Sequence, residues 1–324
     1  MTYLICDDND EPVDFAMNDS KNAVKKAFEH RPSARVPRGE VWVGTTVLRQ
    51  AELEDNVAGH AAFCRQMGMD LVVLPLAEEA RRDEIQGYRY FTLEEIRTLS
   101  EIKDLFTAVI VDGPFQRLTQ DKGLMEIFTL WARDRAQFLS GYTRETIGVE
   151  NLIRNACEFG LDAVIIADDI ASEKNTYFSP KEIRKTFIPF YLKISTLVHH
   201  QGKARALFHS CGNFGALIPD LLDCGFDGLA ACQDSALDLA SLKQREGPRL
   251  TLIAGIDAEL LQAPLLDASR KDAFSKLVGT ISRKGGFILS SSCGLYSPDF
   301  LERLRELYIL ADAQLSESNR PTPA

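Results

Sequence analysis

Short apolar runs recur along the chain, and polar stretches with helix-forming residues separate them. The runs are continuous and rich in valine, isoleucine and leucine, which is typical of parallel strands that are buried on both faces. There are eight of them: VWVG at 41–44, LVVLP at 71–75, AVIVDG at 108–113, AVIIADD at 163–169, ARALFHS at 204–210, GLAAC at 228–232, TLIAGID at 251–257 and GFILSS at 286–291. Eight strands alternating with helices predict an α/β fold of the (β/α)8 TIM-barrel class.

Helix-start signals lie in the stretches between the runs. Thr92 and Glu95 have the spacing of a capping box. Ser179 directly precedes Pro180, which suits an N-cap followed by the first helical position. Ser297–Pro298 is expected to open the last helix, whose apolar residues recur at helical spacing.

The pattern also predicts how the chain is divided. We expect an N-terminal arm at 1–19, a catalytic barrel domain at 20–313 and a flexible tail at 314–324, because both ends are polar and no long linker interrupts the middle. The polar stretch from Ala80 to Tyr90 is expected to be an excursion after the second strand.

Composition narrows the class of protein. The chain has 324 residues, a net charge of −10 and no block of lysine or arginine, so we expect no nucleic-acid partner. It has no run of about 18 apolar residues and no signal-peptide core, so we expect no membrane partner and a cytoplasmic location. Seven cysteines without a secretion signal indicate reduced thiols or metal ligands rather than a disulfide framework.

Reactive side chains gather at the carboxyl ends of the predicted strands. They are Asp112, Asp168, Asp169, His209, Cys211, Cys232, Asp234, Asp257 and Cys293. In α/β barrels the chemistry sits at this end of the strands, at the mouth of the barrel. A scatter of polar residues over helices and loops would rarely produce this arrangement, so the pattern as a whole predicts an enzyme site.

The strongest candidate chemistry is a metal site. Zinc binds imidazole nitrogen and thiolate sulfur, and His209 with Cys211 in FHSCG and Cys293 in SSSCG supply three such groups. Cys232 in LAACQD is a candidate fourth ligand, and a small buried side chain is an equally open interpretation of it.

Structural interpretations compete with functional ones elsewhere. Three cysteines in helical sequence are expected to be buried side chains: Cys64, Cys157 and Cys224. Cys6, in the arm, has no assigned role. Asp257 could be an N-cap, Asp112 could shape the turn before Gly113–Pro114, and Asp168 and Asp169 could be caps or ion-pair partners.

The chain resembles the uroporphyrinogen decarboxylase superfamily from about Asn22 to Leu310. The resemblance is carried by KNAVKKAFEHRPSARVPRGE, DAVIIADDIAS, YFSPKEIRKTFIPFYLKI, FHSCGNFGALIPDLLDCGFDGL and LIAGIDAELL. It implies a (β/α)8 barrel, in agreement with the strand count.

Two branches of that superfamily are similar to the chain. The decarboxylase branch has an arginine-rich segment after its first strand, whereas VWVGTTVLRQAEL has only Arg49. The zinc-dependent corrinoid:thiol methyltransferase branch has His-x-Cys and a distant Cys, which His209, Cys211 and Cys293 match. That branch often has a glutamate about twenty residues after the first Cys. The corresponding segment here, AACQD, has none, so the fourth ligand is Cys232 or the position is open.

The resemblance therefore implies a zinc-dependent methyltransferase that moves a methyl group between a corrinoid and a thiol such as coenzyme M. No histidine has an aspartate two positions before it, so the chain lacks a DxHxxG corrinoid motif and the methylcorrinoid is expected on a partner corrinoid protein. Expected catalytic residues are Asp168 and Asp169; expected substrate-binding residues are Asp112, Asp257 and Tyr296. The alternatives are a decarboxylase-like lyase without metal and a non-catalytic zinc- or corrinoid-docking protein.

Overall fold

The computed structural model describes residues 19–31, 33 and 35–318, and seven of the predicted strands form one parallel sheet in this part of the chain. These strands are β1 (Leu71–Leu76), β4 (Phe106–Asp112), β5 (Ala163–Ala167), β6 (Arg205–His209), β7 (Gly228–Cys232), β8 (Thr251–Ile256) and β9 (Phe287–Ser291). They lie side by side in chain order, so consecutive strands are neighbours and their carboxyl ends share one edge of the curled sheet.

The predicted excursion after the second run is a β-hairpin. Strands β2 (Arg81–Arg82) and β3 (Arg89–Tyr90) pair antiparallel and form a separate two-stranded sheet. The backbone of Phe91 bonds to that of Pro75 and Ala77 in the β1 region, which holds the base of the hairpin against the main sheet.

Helices occupy most of the connections. They are α1 (Asp19–Phe28), α2 (Thr45–Gln50), α3 (Val57–Gln66), α4 (Leu93–Ile96), α5 (Pro114–Lys122), α6 (Leu124–Arg133), α7 (Arg135–Cys157), α8 (Pro180–Thr186), α9 (Ile188–Leu197), α10 (Ile218–Asp223), α11 (Asp234–Leu237), α12 (Leu239–Glu246), α13 (Ala258–Gln262), α14 (Ala268–Ser282) and α15 (Phe300–Ser318). None of the helices in the described ranges combines the length and apolar character that a membrane crossing needs.

The predicted helix starts are confirmed at two places. The Thr92 side chain accepts the Glu95 N–H and Glu95 accepts the Thr92 N–H, a complete capping box. Ser179 caps α8, and Pro180 is its first residue. The last helix begins at Phe300, slightly later than predicted, and in the turn before it the Ser297 hydroxyl accepts the N–H of Asp299.

Strand residues alternate between two buried faces. One set, the inner face, includes Val73, Ile110 and Ile165 and packs with residues of α1; the other set packs against the surrounding helices. The ring of Phe28 in α1 stacks on Phe106 of β4 with centroids 5.5 Å apart. Helix α1 thus covers the amino end of the inner face and leaves the carboxyl end open for a site.

The predicted first strand is not a strand. Residues 37–44 make isolated parallel pairs with the β9 region, Arg38 with Leu289 and Val43 with Leu295, rather than a continuous ladder. Within the described residues, seven of the eight predicted strands are therefore strands of the main sheet.

The predicted chain ends are only partly described. Cys6 and the rest of the predicted arm lie outside the described residues except Asp19, where α1 begins, and α15 continues to Ser318 within the predicted tail. The division at 1–19, 20–313 and 314–324 stays a prediction.

Candidate active site

Three potential metal ligands converge at the carboxyl ends of β5 and β6. Asp169, His209 and Cys211 each offer one ligand atom, and these atoms lie within 4.8 Å of one another. The Nε2 atom of His209 is 3.8 Å from Oδ1 of Asp169 and 3.9 Å from Sγ of Cys211. Parallel strand order produces this convergence, because β5 and β6 are neighbours and end at the same edge.

The imidazole of His209 is fixed in one orientation. Its Nδ1 atom lies 2.9 Å from the Ala230 carbonyl oxygen, which can only accept, so Nδ1 carries the proton. The edge of the ring packs against Trp42 with centroids 4.9 Å apart. The buried imidazole therefore presents Nε2 to the pocket, as metal-ligating histidines do.

A tight turn after β6 places Cys211. The Cys211 N–H donates to Asp169 Oδ1 at 2.7 Å, and the Gly212 N–H donates to Gln233 Oε1 at 3.1 Å. Gly212 has φ +76°, and a Cβ there would lie 2.3 Å from the Ser172 carbonyl oxygen. Only glycine fits this position, which explains why a glycine follows Cys211 in FHSCG.

The thiols of the pocket are protonated when no metal is bound. Crowding by protein atoms, together with the Asp169 carboxylate, raises the pKa of the Cys211 thiol to about 12, although the residue keeps an exposed surface. Burial, together with the Glu40 carboxylate, raises the pKa of the Cys293 thiol to about 12. A cation in the pocket would therefore be needed to ionise either thiol near neutral pH.

The loop that carries Cys293 is held by two residues distant in sequence. The buried Glu40 carboxylate accepts the Ser291 N–H at 3.1 Å and also the Ser291 hydroxyl, whose oxygen accepts the Gly294 N–H at 2.9 Å. The Tyr88 hydroxyl donates to the Cys293 carbonyl oxygen at 2.7 Å. Cys293 lines the same pocket as His209 but lies outside the group of three that converges at 4.8 Å.

A β-bulge separates Cys232 from the pocket. The pairing of β7 with β8 shifts between Ala230 and Cys232, and Ala231 has φ +52°. One extra residue reverses the alternation of side chains, so Ala230 and Ala231 both lie on the inner face while Cys232 packs on the helix side. Cys232 is fully buried and is not among the described pocket-lining residues. The structure thus does not bring this predicted ligand to the group.

The two consecutive aspartates after β5 face opposite ways. Asp169 lies on the inner face and lines the pocket, whereas Asp168 is fully buried beneath α5. The Asp168 carboxylate accepts the Gln116 N–H at 2.7 Å and the Tyr191 hydroxyl at 2.8 Å, and burial raises its pKa to about 7. The two side chains face opposite ways because successive residues of a strand alternate between its two faces. Asp168, for which the sequence predicts a catalytic role, therefore lies on the helix side and caps the start of α5.

Of the three predicted substrate-binding residues, Asp112 lines the pocket. Its carboxylate accepts hydrogen bonds from Arg81 at 2.6 Å, Gln120 at 3.1 Å and the Tyr90 hydroxyl at 3.2 Å. Burial raises the pKa of Asp112, and the Arg81 guanidinium opposes that rise.

The other two predicted substrate-binding residues are not among the described pocket-lining residues. The Asp257 carboxylate accepts the N–H groups of Asp234 and Ser235 at 2.9 and 3.0 Å, which caps the start of α11. The Tyr296 hydroxyl accepts a hydrogen bond from Gln262 at 2.7 Å. Both side chains therefore have structural partners.

The pocket has a volume of about 350 Å³ and contains many residues that the sequence pattern did not indicate. These are Trp42, Asp83, Gln86, Tyr88, Tyr90, Gln116, Gln120, Gln233 and Ser292. Most come from the hairpin, from α5 and from segments beside strand ends. Gln233 and Ser292 had a signal in the sequence, since they directly follow the runs GLAAC and GFILSS.

Comparison with known proteins assigns the family. The sequence model of uroporphyrinogen decarboxylase (URO-D) matches residues 81–311, more than half of the chain. The chain belongs to the uroporphyrinogen decarboxylase family. A methylcobamide:CoM methyltransferase, MtaA of Methanosarcina barkeri, is 30% identical over 208 residues, which are 62% of this chain. The match spans 56% of that relative's own length.

Solved structures share the fold of this uroporphyrinogen decarboxylase family member. A methyltransferase from Methanosarcina mazei superposes with a TM-score of 0.66 and 18% identity over 90% of this chain and 98% of its own. A B12-independent methionine synthase from Shewanella sp. W3-18-1 gives a TM-score of 0.53 and 9% identity over 87% of this chain and 96% of its own. These likenesses concern the fold alone.

Proposed function

We propose that the chain is a zinc-dependent methyltransferase that moves a methyl group between a corrinoid, carried by a partner protein, and a thiol. The observation that carries the proposal is the convergence of Asp169, His209 and Cys211 in a pocket that Cys293 also lines. The similarity to a methylcobamide:CoM methyltransferase supports the reaction class and the kind of partner.

The donor atoms fit zinc. We assign His209 Nε2, Cys211 Sγ and Cys293 Sγ as ligands, because zinc prefers imidazole and thiolate groups. Asp169 is the better candidate for a further ligand, since its carboxylate lies in the group while Cys232 faces the helices. Zinc held there would keep a bound substrate thiol ionised at neutral pH while its sulfur stays nucleophilic.

The remaining residues orient the reactants. The thiolate sulfur forms a bond to the methyl carbon, the carbon–cobalt bond breaks, and its electron pair stays on cobalt, which changes from Co(III) to Co(I). The thiol proton leaves to solvent. Asp169 holds the Cys211 backbone, and Asp112 with Gln120 presents polar groups to the substrate. Trp42 and Tyr88 stack at 6.2 Å between ring centroids and exclude water from one wall.

We also propose that the sheet closes as a (β/α)8 barrel through residues 37–44. The Leu289 N–H donates to the Pro37 carbonyl oxygen at 2.8 Å on one side, and the Asp70 N–H donates to the Arg38 carbonyl oxygen at 2.7 Å on the other. This segment therefore bonds to both edges of the sheet. We further propose the division of the chain into an arm, a barrel and a tail. We also propose a cytoplasmic location, since reduced thiols suit a reducing compartment.

A spectroscopic assay tests the function. Zinc-loaded protein mixed with methylcobalamin and a thiol should shift the absorbance from methyl-Co(III) to Co(I). His209→Ala and Cys211→Ser should abolish the shift. His200→Ala is the matched control, because His200 is exposed and bonds only to the Thr196 carbonyl oxygen among the described contacts. Equal rates with metal-free protein would refute the mechanism, and CO₂ release from a porphyrinogen would place the chain in the decarboxylase branch.

A further inference from the structure

The pocket beside the metal-ligand group has an unusual balance of charges. Its side chains include three carboxylates, three aromatic rings and four amides: Asp83, Asp112, Asp169, Trp42, Tyr88, Tyr90, Gln86, Gln116, Gln120 and Gln233. None of the described residues that line it is a lysine or an arginine. Residues 1–18, which precede the described part, contain no lysine or arginine in their sequence either.

Two residues of one wall, Asp112 and Tyr90, already bind a cation of the chain itself, Arg81, which lines the neighbouring pocket. The Arg81 Nη2 atom donates to Asp112 Oδ2 at 2.6 Å, and the guanidinium carbon lies 3.9 Å from the centroid of the Tyr90 ring. A carboxylate beside an aromatic face is the arrangement that attracts organic cations. The Arg81 side chain is 42% exposed, so it has room to move into solvent when another cation takes its place beside Asp112.

In the neighbouring pocket, each arginine among the described lining residues is paired with an acid, so none is free to bind an anion. It has a volume of about 450 Å³, shares Asp112 and Gln120 with the first, and its charged side chains are three arginines and four acids. Arg117 lies 2.7 Å from Glu78, and both Arg117 and Arg144 approach Glu145, at 3.2 and 3.0 Å. An anionic group in either pocket would therefore meet a net negative field.

We propose that the thiol taken by this site carries a cationic, alkylammonium-type head group, which binds at Asp112 and Tyr90 in place of Arg81. This proposal rests on the proposed function and names its substrate class. Zinc with two thiolates is neutral, so Asp83, Asp112 and Asp169 set the sign of the field that a head group meets. A sulfonate or carboxylate head group is disfavoured by the same field.

A matched series of thiols tests the proposal on the zinc-loaded full chain. The ligands are 2-aminoethanethiol, 2-mercaptoethanol and 2-mercaptoethanesulfonate, which differ in the charge of one end, and binding is measured by calorimetry without any corrinoid. The aminothiol should bind about tenfold more tightly than the sulfonate, about 1.4 kcal/mol, and more tightly than the alcohol. Added salt should reduce the difference. Equal or tighter binding of the sulfonate or of the alcohol would overturn the proposal.

Variants separate the head-group effect from the different acidities of the three thiols. Asp112→Asn should reduce the preference for the aminothiol over the sulfonate severalfold, whereas Asp121→Asn, an exposed acid of the neighbouring pocket, should leave it unchanged. Arg81→Ala should tighten binding of the aminothiol by removing its competitor. If Arg81→Ala instead weakens only the sulfonate, Arg81 is an anion site and the proposal fails. Zinc-loaded protein that binds no thiol at all would refute the proposed function rather than this selectivity.

Discussion

The Nδ1 atom of His209 lies 2.9 Å from the carbonyl oxygen of Ala230, the residue at which the bulge of β7 begins. This bulge turns Cys232 toward the helices. The Ala230 carbonyl oxygen at its start accepts the hydrogen bond from the His209 imidazole, which presents Nε2 to the pocket. Bulges often lie beside active sites, where they re-aim single side chains. Here the bulge accounts for both the orientation of His209 and the absence of Cys232 from the pocket.

The first prediction concerns metal content. Wild-type protein should contain about one zinc per chain, as expected for a site with imidazole and thiolate ligands. His209→Ala and Cys211→Ser should both lose the zinc. Thermal unfolding of Cys211→Ser should change only modestly, because Cys211 is exposed. Elemental analysis after metal-replete expression measures this, with His200→Ala as control. Zinc-free wild-type protein would exclude the metal site.

The second prediction compares two cysteines. Cys293→Ala should weaken zinc retention at least tenfold in a chelator competition, because Cys293 lines the pocket. Cys232→Ala should retain zinc and lose about 1 kcal/mol of unfolding free energy, as a buried side chain does when shortened. Loss of zinc from Cys232→Ala equal to that from Cys293→Ala would mean that Cys232 reaches the metal.

The third prediction concerns the turn that carries Cys211. Gly212→Ala should lower the unfolding free energy by more than about 2 kcal/mol and disrupt metal binding, because the new Cβ meets the Ser172 carbonyl oxygen at 2.3 Å. Gly160→Ala is the matched control, since φ is +68° there, the position is exposed and nothing lies within 4 Å of the new Cβ. It should show only the backbone strain of about 1 kcal/mol. Urea unfolding measures the loss of unfolding free energy in both variants. Equal losses would show that the contact with Ser172 is unimportant.

The fourth prediction is a pH dependence from Glu40. Burial raises the pKa of its carboxyl to about 7 from an ordinary 4.5, and the hydrogen bonds from Ser291 oppose that rise. Between these values the folded protein binds the proton more tightly than the unfolded chain does, so stability contributed by Glu40 is lost as the pH rises from 4.5 toward 7.

Glu40→Gln should therefore flatten the fall in unfolding free energy across this range, by up to about 3 kcal/mol. Urea unfolding at several pH values measures the effect, and Glu79→Gln, at an exposed position, is the control. A wild-type profile that is flat from pH 5 to 8 would contradict the prediction.

Much of the fold follows from the sequence because apolar runs and helix caps are local signals. Seven of the eight predicted strands lie where the runs do, and Thr92 and Ser179 cap helices as predicted. The eighth run, at 41–44, is apolar but forms only isolated pairs, since ladder continuity depends on the backbone of distant Leu289 and Leu295.

At the site, the sequence by itself determined which strand ends carry reactive groups, because the order of parallel strands brings those ends to one edge. Asp169, His209 and Cys211 meet for that reason. Tertiary structure decided which groups face the pocket. Alternation turns Asp168 outward, and one inserted residue at Ala231 turns Cys232 outward. The hairpin and α5 then supply most of the glutamines and aromatic rings that surround the ligands. They do so through contacts between segments far apart in the chain, which no local pattern of residues specifies.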